Sequence, residues 1–376
     1  MLLIKNGLVL NDQFQFVKAD IAWTDQTIDA IGQLEGEGID AEGCYVVPGF
    51  VDSHIHGAFG TAFLNHGFED HEMIAAYEAK NGTTAIAATL SSNPKENILR
   101  SLKTTMDYVA AGQKDHCADI VGVHLEGPFF DETFKGAHKT ENIRNPDVAE
   151  FKEFVALAGN FLKIMTMAPE LPGGDEVIKC AVENGVCISI GHTGATYAET
   201  VHAVELGAQQ GTHLFNGMRG LNHREPGTVG GILFTDAKAE LICDFFHVHK
   251  DMVKMVYDLK GCHKINMITD STRGNGLPDG RHVLDAGITI RRNGQSYTEN
   301  GTTISGGSSC LIDCIRNMVS IGVPLEEAIL MSTKNPAQTL GMYDTIGSLK
   351  AGKRADIVIL DKDLQVKQVI LRGKLL

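Results

Sequence analysis

No apolar run in the 376-residue chain approaches the about 20 residues that cross a bilayer as a helix, so no membrane span is expected. The eight cysteines include no Cys-x-x-Cys, which argues against a zinc ribbon or a dithiol redox pair. They are scattered through apolar runs such as Cys187-Ile-Ser-Ile190 and Ile242-Cys-Asp244, and read as reduced core thiols of a cytoplasmic protein. No Gly-x-Gly-x-x-Gly follows a strand pattern, which weakens a dinucleotide-binding open sheet. Positive charge is also scarce. Lys and Arg number 33 against 47 Asp and Glu, for a formal net charge of −14, which argues against nucleic acid or an anionic membrane surface as partner. Any anionic ligand must therefore be held by a local group of Arg, His or backbone N–H. Low-complexity linkers and tandem repeats are missing too. Residues 1–10 are apolar, but they carry Lys5 and Gly7 and no small-residue cleavage site, so a first strand is expected there rather than a signal peptide.

What is present is enough apolar material for a large core, 43% of the chain. Short apolar or alternating segments over 2–9, 17–23 and 27–31 lie between turn-forming clusters, and 353–360 and 366–371 repeat the pattern at the other end. The middle alternates. Strands are predicted over 46–56, 83–90, 120–126, 162–168, 187–192, 211–215, 240–245 and 265–270, with helices over 72–80, 97–111, 148–157, 175–184, 196–206 and 251–260 between most of them. Eight such units fit an α/β fold of the (β/α)8 TIM-type barrel class, with a doubly wound open sheet as the alternative. The two β-rich ends are expected to build one small β-sandwich domain. The domains are then 1–47 plus 337–376, and a catalytic barrel over 48–336.

Functional groups of such a barrel sit at the C-terminal ends of its strands. The third predicted strand ends in His124-Leu-Glu126-Gly-Pro128. A carboxylate leaving a buried strand at a Gly-Pro break is costly without a partner, and a metal cation is one partner that compensates it. The first strand ends in His54-Ile-His56, whose side chains point to one side. The fifth ends in His192, the sixth carries His213, and the eighth ends in Asp270. Each alone is an ordinary turn, cap or core residue. Together, all at strand ends and none at strand starts, they form an imidazole and carboxylate set suited to zinc, iron or manganese.

This set resembles the amidohydrolase superfamily. Within it, the blocks His124-Leu-Glu-Gly-Pro-Phe129, Gly191-His-Thr-Gly-Ala-Thr196, Thr212-His-Leu-Phe-Asn-Gly-Met218 and His223-Arg-Glu-Pro-Gly227 are similar to those of the N-acetylglucosamine-6-phosphate deacetylases, and the likeness covers nearly the whole chain. Many superfamily members carry a bridging Lys at the end of strand four. Here Lys163 lies at the wrong end of that strand, and Glu126 takes the position, as in the deacetylases. The resemblance implies one or two divalent ions per subunit (Zn, Fe or Mn), held by Glu126, His192 and His213, with His54 and His56 for a second ion. It implies Asp270 as general acid–base, and a sugar phosphate contacted by Ala137, His138, Asn216, Gly217, Arg224, His247, Ile304, Ser305 and Gly306. It further implies a cytoplasmic homodimer whose neighbouring subunit completes the phosphate site. His223 and His249 are left as solvated residues, and 129–136 is expected to be a mobile lid. N-acetylgalactosamine-6-phosphate is the close alternative substrate, a cyclic-amide hydrolase a more distant one, and a non-enzymatic sugar-phosphate sensor a third.

Overall fold

The computed structural model describes residues 1–284 and 287–376. Eight parallel strands form the barrel: Phe50–Ile55, Thr83–Ser91, Asp119–Glu126, Leu162–Met167, Cys187–Ile190, Gln210–Gly211, Lys238–Ile242 and Ile265–Ile268. They pair in sequence order, so each expected crossover is there. Closure runs through a parallel bridge between Ile55 and Ser271 and a hydrogen bond from the Asp270 N–H to the His54 carbonyl at 2.9 Å. Helices and the apolar core cover the outer face of the strands, while the inner face carries buried polar side chains, among them His54, Thr166, Gln210, Glu240 and Asn266, joined to one another or to neighbouring strands by hydrogen bonds.

Two strand boundaries differ from expectation for local reasons. The segment expected as one strand over 46–56 is split at Gly49. Tyr45–Pro48 joins the small sheet and Phe50–Ile55 joins the barrel. A Cβ on Gly49 would collide with the Thr84 side chain, so only glycine lets the chain pass there. The sixth strand is just Gln210–Gly211, because His213 and Phe215 adopt left-handed backbone (φ 29° and 79°) and the ladder stops.

Both chain ends share one mixed sheet. Its order is Lys374–Leu375, Val366–Leu371, Ile357–Leu360, Tyr45–Pro48, Leu2–Leu10, Phe16–Thr24 and Thr27–Gly32, with Ile39–Asp40 also paired to Leu2–Leu10. The sheet curls until Ile28 N–H reaches the Lys353 carbonyl and Ala355 N–H reaches Gln26, so one continuous sheet supplies both layers around Ile4, Ile21, Trp23, Ile28, Ile357 and Ile370. A three-stranded antiparallel sheet, Gly280–Leu284, Gly287–Arg292 and Gln295–Tyr297, was not expected. Its tight Asn293-Gly294 turn, with both residues at positive φ, is a hairpin signal that the sequence carried.

An ion cluster joins the small sheet to the barrel. Asp119, at the start of the third barrel strand, pairs with both Arg354 and Arg372, and Arg354 Nε also donates to Asp356 at 2.7 Å. Removing the shared carboxylate leaves Arg354 with Asp356 and Arg372 with the Lys114 and Cys117 carbonyls, and takes an ion-pair partner from two guanidinium groups that are only about one-seventh exposed. Asp119→Ala is expected to cost about 3 kcal/mol, the lower end of the range for breaking a buried pair. Urea denaturation of the two proteins checks this, and a midpoint unchanged from wild type would show the cluster to be dispensable.

Candidate metal centre and active site

The polar residues at the barrel mouth are placed by where their strands stop. Glu126 is the last residue of the third strand, and His54 lies within the first. His192, His213 and Asp270 each lie two residues beyond a strand, at φ values of 51°, 29° and 48°. Left-handed backbone at a non-glycine residue costs about 1–3 kcal/mol. Here it turns three side chains inward over the mouth, where ordinary strand geometry would carry the chain away from it.

Five imidazole Nε2 atoms surround the Glu126 carboxylate. His213 and His192 lie 3.1 and 3.2 Å from Oε1, His54 lies 3.5 Å from it, and His56 and His138 each lie 3.2 Å from Oε2. Asp270 Oδ1 faces the same pair from the other side, 3.4 Å from His54 Nε2 and 3.2 Å from His56 Nε2. The far nitrogens are anchored behind: His192 Nδ1 on the Phe134 carbonyl at 2.9 Å, His56 Nδ1 at Ser91 Oγ at 3.0 Å, His138 Nδ1 at Ser92 Oγ at 2.8 Å, and His54 Nδ1 at Glu240 at 3.0 Å.

These residues fit a divalent ion. Burial pushes His192 down to about 4, so it is neutral at pH 7. Its Nδ1 faces a carbonyl, which only accepts, so the proton sits there and the Nε2 lone pair faces Glu126. Two acceptors at 3.2 Å repel unless a cation lies between them. Separations of 3.1–3.2 Å among Glu126 Oε1, His192 Nε2 and His213 Nε2 also suit three donors around one ion at about 2.0–2.1 Å each. On the other side, burial works against charge on His54 and His56, but Asp270, Glu240 and Glu126 outweigh it. His54 is held well above the ordinary imidazole range and His56 is raised to about 9. Without an ion, protons supply the positive charge that the two carboxylates require. His54, His56 and Glu126 form one group able to hold a metal, and Glu126, His138 and His192 another.

Residues 45–376 match the amidohydrolase family. The chain belongs to that family. Among curated relatives, the N-acetylglucosamine-6-phosphate deacetylase of Lysinibacillus sphaericus is 36% identical, covering 100% of this chain and 97% of the relative. The N-acetylgalactosamine-6-phosphate deacetylase of Escherichia coli O157:H7 is 34% identical, covering 89% and 88%. The crystal structure of N-acetyl-D-glucosamine-6-phosphate deacetylase from Mycobacterium smegmatis superposes with a TM-score of 0.93 at 30% identity over 100% of both chains, and a mutant of that enzyme has been solved with N-acetyl-D-glucosamine-6-phosphate. The amidohydrolase family is metal-dependent, in keeping with the cluster at the mouth.

In this amidohydrolase the cluster floors a cavity of about 950 Å³. Of the residues expected to contact substrate, Ala137, His138, Asn216, Gly217, His247, Ile304, Ser305 and Gly306 all line it. Arg224 does not. It is exposed on the loop after the sixth strand, its N–H bonded to Asn222 Oδ1, and this chain alone does not bring it to the cavity. The lid expected over 129–136 is pinned for much of its length. Phe129 and Phe130 are buried, Asp131 N–H donates to the His192 carbonyl, and the Phe134 carbonyl holds His192. Among the described residues no helix is long and apolar enough to cross a membrane, and all eight cysteines are free.

Several contributors were not anticipated. Ser91 ends the second strand and Ser92 follows it, and the run of hydroxyls there was the available signal. Asp244 orients His247 through its Nδ1 at 2.7 Å. Lys139 and Arg273 add cationic side chains, and Leu284, Ile288, Thr298 and Glu299, in and around the unexpected three-stranded sheet, roof the cavity.

Metal binding must displace the protons on His54 and His56. Both are raised above the usual imidazole value, His56 to about 9, so both carry protons at neutral pH and the competition grows as pH falls. Zinc affinity of the metal-depleted protein is therefore expected to rise from pH 7 toward 9, by about tenfold per unit for each proton displaced. Calorimetry in buffers of different ionisation enthalpy measures the protons released. An affinity independent of pH over that window would rule out protonated ligands.

Proposed function

We propose that this chain removes the acetyl group from N-acetylglucosamine-6-phosphate, giving glucosamine-6-phosphate and acetate. The observation that carries this reading is the position of His54 and His56 between two carboxylates, Glu126 and Asp270, at the floor of a cavity large enough for a sugar phosphate. Full-length likeness to deacetylases of that substrate supports it. Glu126, His192 and His213 would hold one ion and His54 and His56 a second, zinc, iron or manganese on the chemistry of the donors. Such an ion supplies Lewis acidity that makes water nucleophilic near neutral pH and polarises an amide carbonyl.

The chain's own residues do the rest. Asp270 takes the proton of the attacking water and returns it to the nitrogen as the C–N bond breaks, so the amine leaves neutral and the acetyl carbon leaves as acetate. Burial opposes its ionisation, but His54 and His56 hold it well below the ordinary carboxylate range, so it serves as a base only toward water that is already acidified. His138, anchored by Ser92, turns Nε2 toward the same point and orients the acetamide. Asn216, Gly217 and the segment Ile304, Ser305 and Gly306 contact the sugar, with Ala137 beside His138.

The phosphate needs local cations in a chain of charge −14. Burial works against charge on His247, but Asp244 outweighs it and raises its pKa, which favours an imidazolium for phosphate. Arg224 stands outside the cavity of its own chain, which supports a homodimer in which it serves the neighbour's phosphate site. We divide the subunit into 1–47 plus 337–376 and 48–336, with the helix Lys334–Thr339 running across the second boundary. The alternative substrate is N-acetylgalactosamine-6-phosphate, favoured by the 34% identical relative of that activity.

Asp270→Asn keeps the shape and removes the base. Acetate release is expected to fall at least about a hundredfold with unchanged secondary structure. Near-normal turnover would take Asp270 out of the mechanism. Arg224→Ala is expected to lose about ten- to a hundredfold in kcat/KM toward N-acetylglucosamine-6-phosphate, from one charge-assisted hydrogen bond of roughly 1.5–3 kcal/mol, and little toward the unphosphorylated sugar. Equal losses on both substrates would make Arg224 structural. The same assay run on both epimers of the sugar phosphate decides between the two substrates.

A further inference from the structure

Glu240 lies on the seventh barrel strand, Lys238–Ile242, and its side chain is wholly buried in the barrel. Among the described residues, His54 is the group that pairs with it, Nδ1 to Oε2 at 3.0 Å. The other oxygen is fixed by a chain of amides. Asn266 Nδ2 donates to Gln210 Oε1 at 2.9 Å and to Thr339 Oγ1 at 3.0 Å, which leaves Gln210 Nε2 to donate to Glu240 Oε1 at 2.7 Å. Glu240 thus accepts at both oxygens, and His54 Nδ1 is the donor to it.

This matters because His54 has two other suitors. Its Nε2 lies 3.5 Å from Glu126 Oε1 and 3.4 Å from Asp270 Oδ1, and either would draw a proton onto Nε2. A proton there occupies the lone pair that a metal would need. Glu240, aligned from below, holds the proton on Nδ1, so the proton that leaves when an ion binds is the one on Nε2. We propose that Glu240 is the positioning residue that keeps the Nε2 lone pair of His54 available to a cation, and so decides whether the second ion is held. This rests on the reading that His54 and His56 bind an ion. A carboxylate behind a metal-binding His fixes the tautomer and contributes about 10- to 100-fold in metal affinity.

The test is zinc titration into the metal-depleted, full-length protein, with bound metal counted by elemental analysis and affinities taken from calorimetry. Wild type is expected to bind two ions. Glu240→Gln is expected to keep one at wild-type affinity and to weaken the other about 10- to 100-fold. Glu240→Asp keeps the charge but withdraws it from Nδ1, and is expected to weaken the same ion. The melting temperature of metal-free Glu240→Gln is expected to fall, since the buried partner of a charged His54 has been removed, so metal binding is the readout that separates positioning from structure. Wild-type affinity for both ions in both variants overturns the proposal. So does a lower metal-free melting temperature with unchanged metal binding, which marks a structural role. A wild type that binds a single ion overturns the two-ion reading itself and takes this inference with it.

Discussion

Glu126 is a carboxylate removed from water at the mouth of the barrel, and the rest of the site answers to it. A buried anion must be neutralised, and this one draws five imidazole nitrogens to within 3.5 Å. Several of those imidazoles in turn need something to hold the far nitrogen. Serine hydroxyls at and just past the end of the second strand, a backbone carbonyl from residue 134 and a second buried carboxylate at Glu240 fill that role. The arrangement is a shell of acceptors pointing inward with donors turned outward. It is stable only with positive charge at its centre, supplied by protons or by a metal.

The backbone bears part of the cost. Three of the inward-pointing residues sit in left-handed conformation just beyond their strands. Glycine would adopt that conformation freely, but glycine carries no imidazole or carboxylate. The strain is tolerated because the neighbouring ladder is rigid. Gly191 packs so closely on Thr166 and Thr212 that a Cβ there would clash, and the Asp270 N–H is tied to the His54 carbonyl across the closing seam of the barrel. The same hydrogen bond that closes the barrel therefore sets the distance between Asp270 and the two histidines.

The small β domain is attached through chemistry of a different kind. Its arginines reach the bottom of the third strand at Asp119, the opposite end of the strand that terminates in Glu126. One strand thus carries a structural ion cluster at its start and the proposed metal ligand at its end. This matches the general division of such barrels into a stability face and a functional face.

Much of this was legible from residue order. The alternation of apolar strands and helical patterns determined the barrel, because the face of each strand that packs on the helices must be apolar. The polar residues at strand ends determined the candidate ligands, since six of them fall at the C-terminal ends of strands. Other features depended on folding. Gly49 divides one apolar run between two sheets, a choice made by the proximity of Thr84, which lies 35 residues on. Glu240 and Gln210 read as ordinary strand residues until the barrel closes around them. Arg224 has the right chemistry for phosphate, yet its own chain leaves it outside the cavity. Local pattern decides which face a side chain takes. Which groups meet across the barrel depends on register and closure, and those are set by contacts far apart in sequence.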